Sequence, residues 1–232
     1  EIVKKFNISV YNEKNRKGLL RHIVIKNAKI TNEYMVILVI NGNKIDCENK
    51  IIQNLKERYE CITSIVLNIN KKDTNVILGE KNITIYGKDY IMDKLGDYYF
   101  KISPMSFYQV NPVQAEAMYN YAIESANISK DDTVFDLYCG IGTISIFMAN
   151  YAKEVYGVEI VNQAIEMAME NAKINNIKNT HFIAGDTEKV LTDLIENKKI
   201  VPDIIMVDPP RKGLDSTTIK NIIKVKPKKV IY

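Results

Sequence analysis

Residues 133–144 read Thr133-Val-Phe-Asp-Leu-Tyr-Cys-Gly-Ile-Gly-Thr-Ile144 and predict a buried strand that turns through two glycines into a helix. Gly140 and Gly142 have no Cβ atom, so the backbone can turn sharply there and a ligand can approach it closely. The following helix directs its free N–H groups toward the turn. This pattern is typical of a nucleotide-type cofactor site at the first strand of a doubly wound parallel sheet.

Strands and helices alternate from about residue 112 to the end of the chain, which predicts a parallel sheet with helices on both faces. Asn111 is a predicted N-cap, with Pro112 in the first helical turn. The chain stops within its last predicted strand, where such a sheet normally continues, so we expect a truncated carboxyl end. The predicted elements are helix 113–126, strand 134–137, helix 144–152, strand 154–158, helix 161–175, strand 180–184, helix 188–196, strand 203–207, helix 216–223 and strand 229–232.

Three acidic residues stand at the ends of successive predicted strands, where ligands of such sheets bind. Glu159 is placed to accept the two hydroxyl hydrogens of a ribose, and Asp186 follows the next strand, where an adenine amino group would lie. Asp208 opens the segment Asp208-Pro-Pro-Arg-Lys-Gly213. Because these strand ends and the turn at Gly140 belong to the same edge of the predicted sheet, we expect one shared cofactor site.

Two classes of cofactor could occupy such a site. A nicotinamide dinucleotide is disfavoured because the G-x-G-x-x-G fingerprint is incomplete, with Ser145 at its third glycine position. S-adenosylmethionine fits better, since it has no pyrophosphate to cradle and presents an amino-acid end, a ribose and an adenine to separate strand ends.

The first 103 residues predict a smaller α+β domain, ahead of a cofactor domain at residues 104–232. This part contains no recognisable group of catalytic residues, and we interpret His22 as a partly buried strand residue. A helix is predicted at 48–59. The predicted strands are 6–11, 20–25, 34–40, 62–69, 76–78, 83–86 and 98–102.

Composition places the chain among ordinary globular proteins, with 46% hydrophobic and 26% charged residues in 232. No apolar run is long enough for a membrane span, and no signal peptide is evident. The three scattered cysteines disfavour a disulfide framework and a metal site. The net charge of +4 permits a nucleic-acid partner without requiring one. We therefore expect a cytoplasmic, monomeric protein that has no membrane partner.

Four segments together resemble the RNA uracil-5-methyltransferase family, and most closely its members that methylate uridine in 23S ribosomal RNA. These segments are Phe100-Lys-Ile-Ser-Pro-Met-Ser-Phe-Tyr-Gln-Val-Asn-Pro112, Asp136-Leu-Tyr-Cys-Gly-Ile-Gly-Thr143, Gly157-Val-Glu159 and Asp208-Pro-Pro-Arg-Lys-Gly213. The resemblance extends from about Gly18 to Tyr232. It implies an α/β fold, in which a Rossmann-like class I S-adenosylmethionine methyltransferase sheet is preceded by a smaller α+β domain, and it implies ribosomal RNA as the partner.

The resemblance also implies roles for single residues. Gln109, Tyr138, Glu159 and Asp208 correspond to S-adenosylmethionine contacts, with Asp186 near the adenine and the Gly140–Gly142 turn beneath the cofactor. It also places Asp208 close to the target base. We expect Arg211, which follows the two prolines, to contact RNA, because arginine is a good phosphate and base ligand. No metal ligand is expected.

The chain departs from the family pattern at the reacting groups. Methylation of uracil C5 needs a thiolate that adds to C6 and a base that removes the C5 proton. The resemblance places that cysteine in a Ser-Cys-Asn-Pro turn beyond Tyr232, and we interpret Cys139 as a packing residue of the cofactor turn. The family's amino-terminal RNA-binding domain and cysteine cluster, an iron–sulfur site in many members, are also missing, and Cys47 and Cys61 do not restore that cluster. The hypothesis is an internal fragment that binds cofactor without turnover.

Two other functions remain open at this point. An amino-group methyltransferase would use the Asp-Pro-Pro turn to hold a nitrogen for direct attack, but such sites usually carry an aromatic residue where Arg211 stands. A non-catalytic RNA-binding or assembly module could retain the same cofactor fold.

Overall fold

The computed structural model describes residues 1–232, which divide into two units. Unit 1 comprises residues 1–94 and 101–105, and unit 2 comprises residues 95–100 and 106–232. The division falls within a short two-stranded sheet of β5 (Ile91–Leu95) and β6 (Tyr98–Ile102). The separate roles predicted for residues 1–103 and 104–232 remain predictions.

Unit 1 contains α1 (Ile2–Lys5), β1 (Leu20–Ala28), β2 (Glu33–Ile40), α2 (Glu48–Arg58), β3 (Ile62–Ile69) and β4 (Lys81–Gly87). Its strands form a four-stranded sheet in the order β1-β2-β3-β4. The central pair β2 and β3 is parallel, and both outer pairs are antiparallel. The apolar run of β2 is buried from Met35 to Ile40, as a central strand requires.

Two strands predicted in unit 1 are wrong. Residues 6–11 form no strand, because Asn7 has a left-handed φ of 51° that interrupts the extended chain, and only Val10 makes an isolated bridge. Residues 76–78 also form no strand. The buried side chain of Asn70 donates to the carbonyls of Val76 and Ile77, at 2.7 and 3.0 Å, so this loop is held by a side chain instead of a neighbouring strand.

Unit 2 is an alternating α/β structure, as predicted. Helix α3 (Pro112–Ala126) begins at Asn111, whose side chain accepts the Gln114 N–H. The remaining elements are β7 (Thr133–Leu137), α4 (Thr143–Ala149), β8 (Glu154–Glu159), α5 (Asn162–Ile174), β9 (Thr180–Ala184), α6 (Thr187–Thr192), β10 (Ile204–Val207), α7 (Ser216–Val225) and β11 (Lys229–Ile231). Helix α6 continues directly into one π-helical turn at Asp193–Asn197.

All five strands of unit 2 are parallel, in the order β11-β10-β7-β8-β9. The strand order reverses between β7 and β10, which makes this the switch point of a doubly wound sheet. Leu137 pairs with Val158 on one side and with Val207 on the other. The residues that follow these three strands therefore leave the sheet at one level and along one edge.

The opposite, amino-terminal edge of this sheet is tied by charged groups. Lys228 forms ion pairs with Asp132, which is buried, and with Asp203 at 3.0 Å. The Asp203 carboxylate accepts the Thr133 N–H at 2.9 Å, and its carbonyl accepts the Lys228 N–H. These contacts join the starts of β7, β10 and β11.

None of the helices in the structure combines the length and hydropathy that crossing a lipid bilayer requires.

Candidate cofactor site at the sheet switch point

The chain leaves β7 through a sharp bend at residues 138–142, here called the cofactor bend. The N–H groups of Tyr138 and Cys139 both donate to the carbonyl of Val158, at 2.8 and 3.0 Å. Tyr138 has a φ of 71°, a left-handed conformation that a bulky residue rarely adopts. Such conformations cost free energy and are concentrated at functional sites.

The two glycines of the cofactor bend have different surroundings. Gly140 has a φ of 54°, and a Cβ atom added there would meet no atom within 4 Å. Gly142 has a φ of 79°, and an added Cβ would lie 2.9 Å from the Phe182 ring and 3.0 Å from Ala168. Gly140 therefore leaves open space over the bend. Gly142 instead allows close packing, and any contact that it makes with a cofactor must come from its backbone.

Glu159, at the end of β8, faces the cofactor bend. Its Oε2 atom accepts the Gly140 N–H at 3.2 Å, and its Oε1 atom accepts the Val161 N–H at 3.0 Å. These two bonds fix the carboxylate while leaving each oxygen further acceptor capacity.

Asp208 follows β10 and lies on the same side of the sheet as Glu159. Its charge raises the pKa of two neighbouring groups, the Asp136 carboxyl and the Tyr119 phenol. The charge of Glu159 also raises the pKa of Asp136. The charges of Glu159 and Asp208 thus both act on Asp136, and a shared cofactor site for the two carboxylates remains a prediction.

Asp136 is a member of the site to which the sequence analysis assigned no role. It is 1% exposed within β7, and its carboxylate accepts a hydrogen bond from the Ser145 hydroxyl. Burial raises its pKa to about 7, while the hydrogen bond from Ser145 opposes that shift. An acid inside an otherwise apolar strand was the signal that could have identified it.

Gln109 lies near the buried hydroxyl of Tyr119. The Tyr119 hydroxyl shares a hydrogen bond of 3.3 Å with Thr143 Oγ1. Burial raises the pKa of this phenol, and the Gln109 side chain lies near enough to oppose that rise. Thr143 is the first residue of α4, directly after the cofactor bend. Tyr119 was predicted by no motif, because its helical spacing resembles that of any core aromatic.

Tyr138 lies near Asp186. Burial raises the pKa of the Tyr138 phenol, the nearby Thr187 and Thr218 oppose that rise, and the charges of Asp215 and Asp186 add to it. The Asp186 side chain accepts the Lys189 N–H and so caps α6. A carboxylate acting as a helix cap is common, and the geometry alone gives Asp186 no further role.

Arg211 and Cys139 differ strongly in accessibility. Arg211 is exposed in the turn closed by the hydrogen bond from the Gly213 N–H to the Pro210 carbonyl. Cys139 is buried, and its burial raises the pKa of the thiol well above its ordinary value, as do the charges of Asp136 and Glu159. The Cys139 sulfur is therefore unsuited to act as a nucleophile.

Sequence comparison identifies a family and two curated relatives. The model of the tRNA (uracil-5-)-methyltransferase family matches residues 13–232. An uncharacterized RNA methyltransferase of Clostridium tetani is 47% identical over the whole chain, which covers 50% of that relative. A second one, from Staphylococcus aureus strain MSSA476, is 47% identical over 231 residues and is covered to 51%. The chain thus spans about half the length of the curated relatives that it matches.

Two solved structures of tRNA methyltransferases are also similar to this chain. The tRNA (uracil-54, C5)-methyltransferase of Pyrococcus abyssi, solved in complex with S-adenosyl-L-homocysteine, has a TM-score of 0.76 and is 30% identical; the alignment covers 98% of this chain and 53% of that one. The tRNA m1G37 methyltransferase of M. jannaschii shares the fold, with a TM-score of 0.53 and 18% identity. The alignment covers 97% of this chain and 60% of that one. The α/β fold predicted from the sequence is confirmed, and the prediction of an S-adenosylmethionine-type cofactor agrees with the ligand of the Pyrococcus enzyme.

Proposed function

Because the chain belongs to the tRNA (uracil-5-)-methyltransferase family, we propose that unit 2 binds S-adenosylmethionine at the cofactor bend and serves the methylation of uridine C5 in RNA. The observation that carries the proposal is the hydrogen bond from the Gly140 N–H to Glu159, under the open space above Gly140. This bond places a carboxylate and a free backbone surface together at the switch point of the sheet.

Glu159 is proposed to hold the ribose. A carboxylate has about four lone-pair positions, and the Gly140 and Val161 N–H groups occupy one on each oxygen. The remaining position on each oxygen can accept one ribose hydroxyl. The carboxylate is already oriented by the backbone, so binding requires little reorganisation.

The acids of the site also suit the charge of this cofactor. When bound, S-adenosylmethionine supplies an electrophilic methyl group on a positively charged sulfonium. The charges of Glu159 and Asp208, both felt by Asp136, give the region a negative character that favours a cation. Asp208 is proposed to have a second role, because its carboxylate can accept an N–H from the edge of a target base.

Residues near the site can contact RNA. Phe107 is 74% exposed and stands two positions before Gln109, so its ring is available to stack on a base. Arg211 and Lys212 are exposed beside Asp208 and can pair with phosphates. We propose ribosomal RNA as the substrate, since the four segments quoted above most resemble the ribosomal RNA enzymes. Transfer RNA, on which the Pyrococcus relative acts, is the alternative.

We also propose that these 232 residues bind cofactor and RNA without completing methyl transfer. The reaction at C5 needs a thiolate, and the buried Cys139 thiol has a strongly raised pKa. The resemblance places the reactive cysteine beyond Tyr232, so it assigns that role to neither Cys47 nor Cys61.

Two measurements test the proposal. Calorimetry should show that the chain binds S-adenosylhomocysteine and S-adenosylmethionine, and failure to bind either would overturn it. The chain is then incubated with methyl-labelled S-adenosylmethionine and unmodified ribosomal RNA or transfer RNA transcripts. We expect RNA binding without label in 5-methyluridine. Label in that base would contradict the lack of turnover, and label on a base nitrogen would favour an amino-group methyltransferase.

A further inference from the structure

Tyr119 is a buried aromatic residue whose ring is held by other aromatic rings. It is 3% exposed on α3, and its ring meets Phe147 of α4 edge-on at 5.5 Å and 74°. Phe147 in turn packs against Tyr98 at 4.9 Å. These contacts fix where the Tyr119 hydroxyl emerges from the core.

That hydroxyl emerges between two segments of the candidate site. It shares the hydrogen bond with Thr143, at the start of α4, and the Gln109 side chain lies near it. Residues 106–111 form the loop that leads into α3, here called the entry loop, and Gln109 lies within it. One phenol therefore lies between the entry loop and the residue that directly follows the cofactor bend.

The phenol stays protonated at neutral pH. Burial raises its pKa, the hydrogen bond with Thr143 and the nearby Gln109 side chain oppose that rise, and the charges of Asp136 and Asp208 add to it. A protonated phenol donates one hydrogen bond and can accept another. It can thus serve both partners at once and limit the directions in which the Gln109 amide can point.

We propose that Tyr119 is a positioning residue for the cofactor, which acts by holding the Gln109 amide and Thr143 in the orientation that binds S-adenosylmethionine. The inference rests on the proposed function, because it assigns a supporting group to the same site. Tyr119 itself is 3% exposed, so its proposed effect on the ligand passes through these two residues.

A double-mutant cycle tests this role. Tyr119→Phe removes only the hydroxyl and keeps the ring against Phe147, so the fold should be retained. We expect the affinity for S-adenosylhomocysteine to fall about three- to tenfold, the worth of one neutral hydrogen bond. Gln109→Ala should weaken binding at least as much. The double variant should bind like Gln109→Ala alone, since coupled residues are not additive.

The control is Tyr121→Phe, which removes the same atom from the same helix at a position that is 73% exposed. Thermal unfolding of every variant separates loss of affinity from loss of structure, and Thr143→Val offers a second way to remove a partner of the hydroxyl. Unchanged affinity of Tyr119→Phe, or losses that multiply in the double variant, would overturn the inference alone. Absence of binding by the wild-type chain would overturn the proposed function and the inference with it.

Discussion

The Gly140 N–H donates to Glu159 Oε2 at 3.2 Å, so the end of β8 is bonded to the turn that follows β7. We expect Glu159→Ala to weaken S-adenosylhomocysteine binding by about 1–3 kcal/mol, the worth of hydrogen bonds to a charged group. Calorimetry measures this loss. Glu166→Ala, an exposed carboxylate on α5, is the matched control and should leave the affinity unchanged. Equal affinity of Glu159→Ala and the wild type would remove Glu159 from the site.

Alanine at Gly140 should mainly reduce cofactor affinity, whereas alanine at Gly142 should mainly reduce thermal stability. Gly140→Ala places a methyl group in open space, so it should lower cofactor affinity while costing only about 1–2 kcal/mol of stability through its left-handed φ. Gly142→Ala meets the Phe182 ring at 2.9 Å and should mainly lower the unfolding temperature. Thermal unfolding and calorimetry on both variants provide the comparison. The same pattern of losses in both would contradict the distinction.

Asp136 should make unit 2 less stable as the pH rises. Its pKa is about 7 in the folded chain and about 4 when unfolded. Between these values the folded state keeps a proton that the unfolded state has lost, so the unfolding free energy falls as the pH rises through this window and levels off above it. At about 1.4 kcal/mol per pKa unit, the decrease reaches at most about 4 kcal/mol.

Urea unfolding at pH 5 and pH 8 measures this effect in the wild type and in Asp136→Asn. The difference in stability between the two pH values should shrink in the variant, because asparagine does not titrate. Asp132 does not interfere in this range, since its hydrogen bond from Lys228 lowers its pKa. An identical pH dependence in both proteins would show that Asp136 is ionised throughout.

Asn70 should stabilise the loop at residues 71–78. Its amide donates to the carbonyls of Val76 and Ile77, and it is 2% exposed. We expect Asn70→Ala to cost about 1–3 kcal/mol, because the hydrogen bonds that the buried amide makes to both carbonyls are lost. Limited proteolysis should then cut the loop faster. Asn75→Ala, in the same loop but exposed, should behave like the wild type.

Arg211→Ala should weaken RNA binding more than cofactor binding. Arg211 is exposed next to Asp208, and an arginine there can pair with phosphate or a base edge. Filter binding at two salt concentrations measures the RNA affinity and its salt dependence, and calorimetry measures the cofactor. Lys220→Ala, an exposed cation on α7, tests whether any lost charge has the same effect. Equal losses for RNA and cofactor would argue against a role in RNA contact.

The parts of the fold that could be predicted are those where periodicity and end signals agree. Helix α3 is an example, since Asn111 and Pro112 mark its start and Ala126 ends its apolar stripe. Strand β5 was missed because its buried alternation includes Asp93, a charged residue whose carboxylate accepts the Lys29 and Ile30 N–H groups. Local pattern does not reveal such long-range partners.

Some residues of the candidate site could likewise be predicted from the sequence, and others could not. Glu159 and Asp208 could be found because strand ends in a parallel sheet share an edge. Tyr119 could not, because its importance depends on how α3 packs against α4 and not on its spacing. Gly142 looked like Gly140 in the sequence, and only the position of Phe182 distinguishes them.

The Lys228 ion pairs with Asp132 and Asp203 have a consequence for how this sheet can change over evolutionary time. They anchor three strands at the edge that carries no candidate chemistry, so a one-residue slip of β11 would separate the charges. Loops at the other edge can therefore be lengthened or replaced to suit new substrates while the strands keep their alignment.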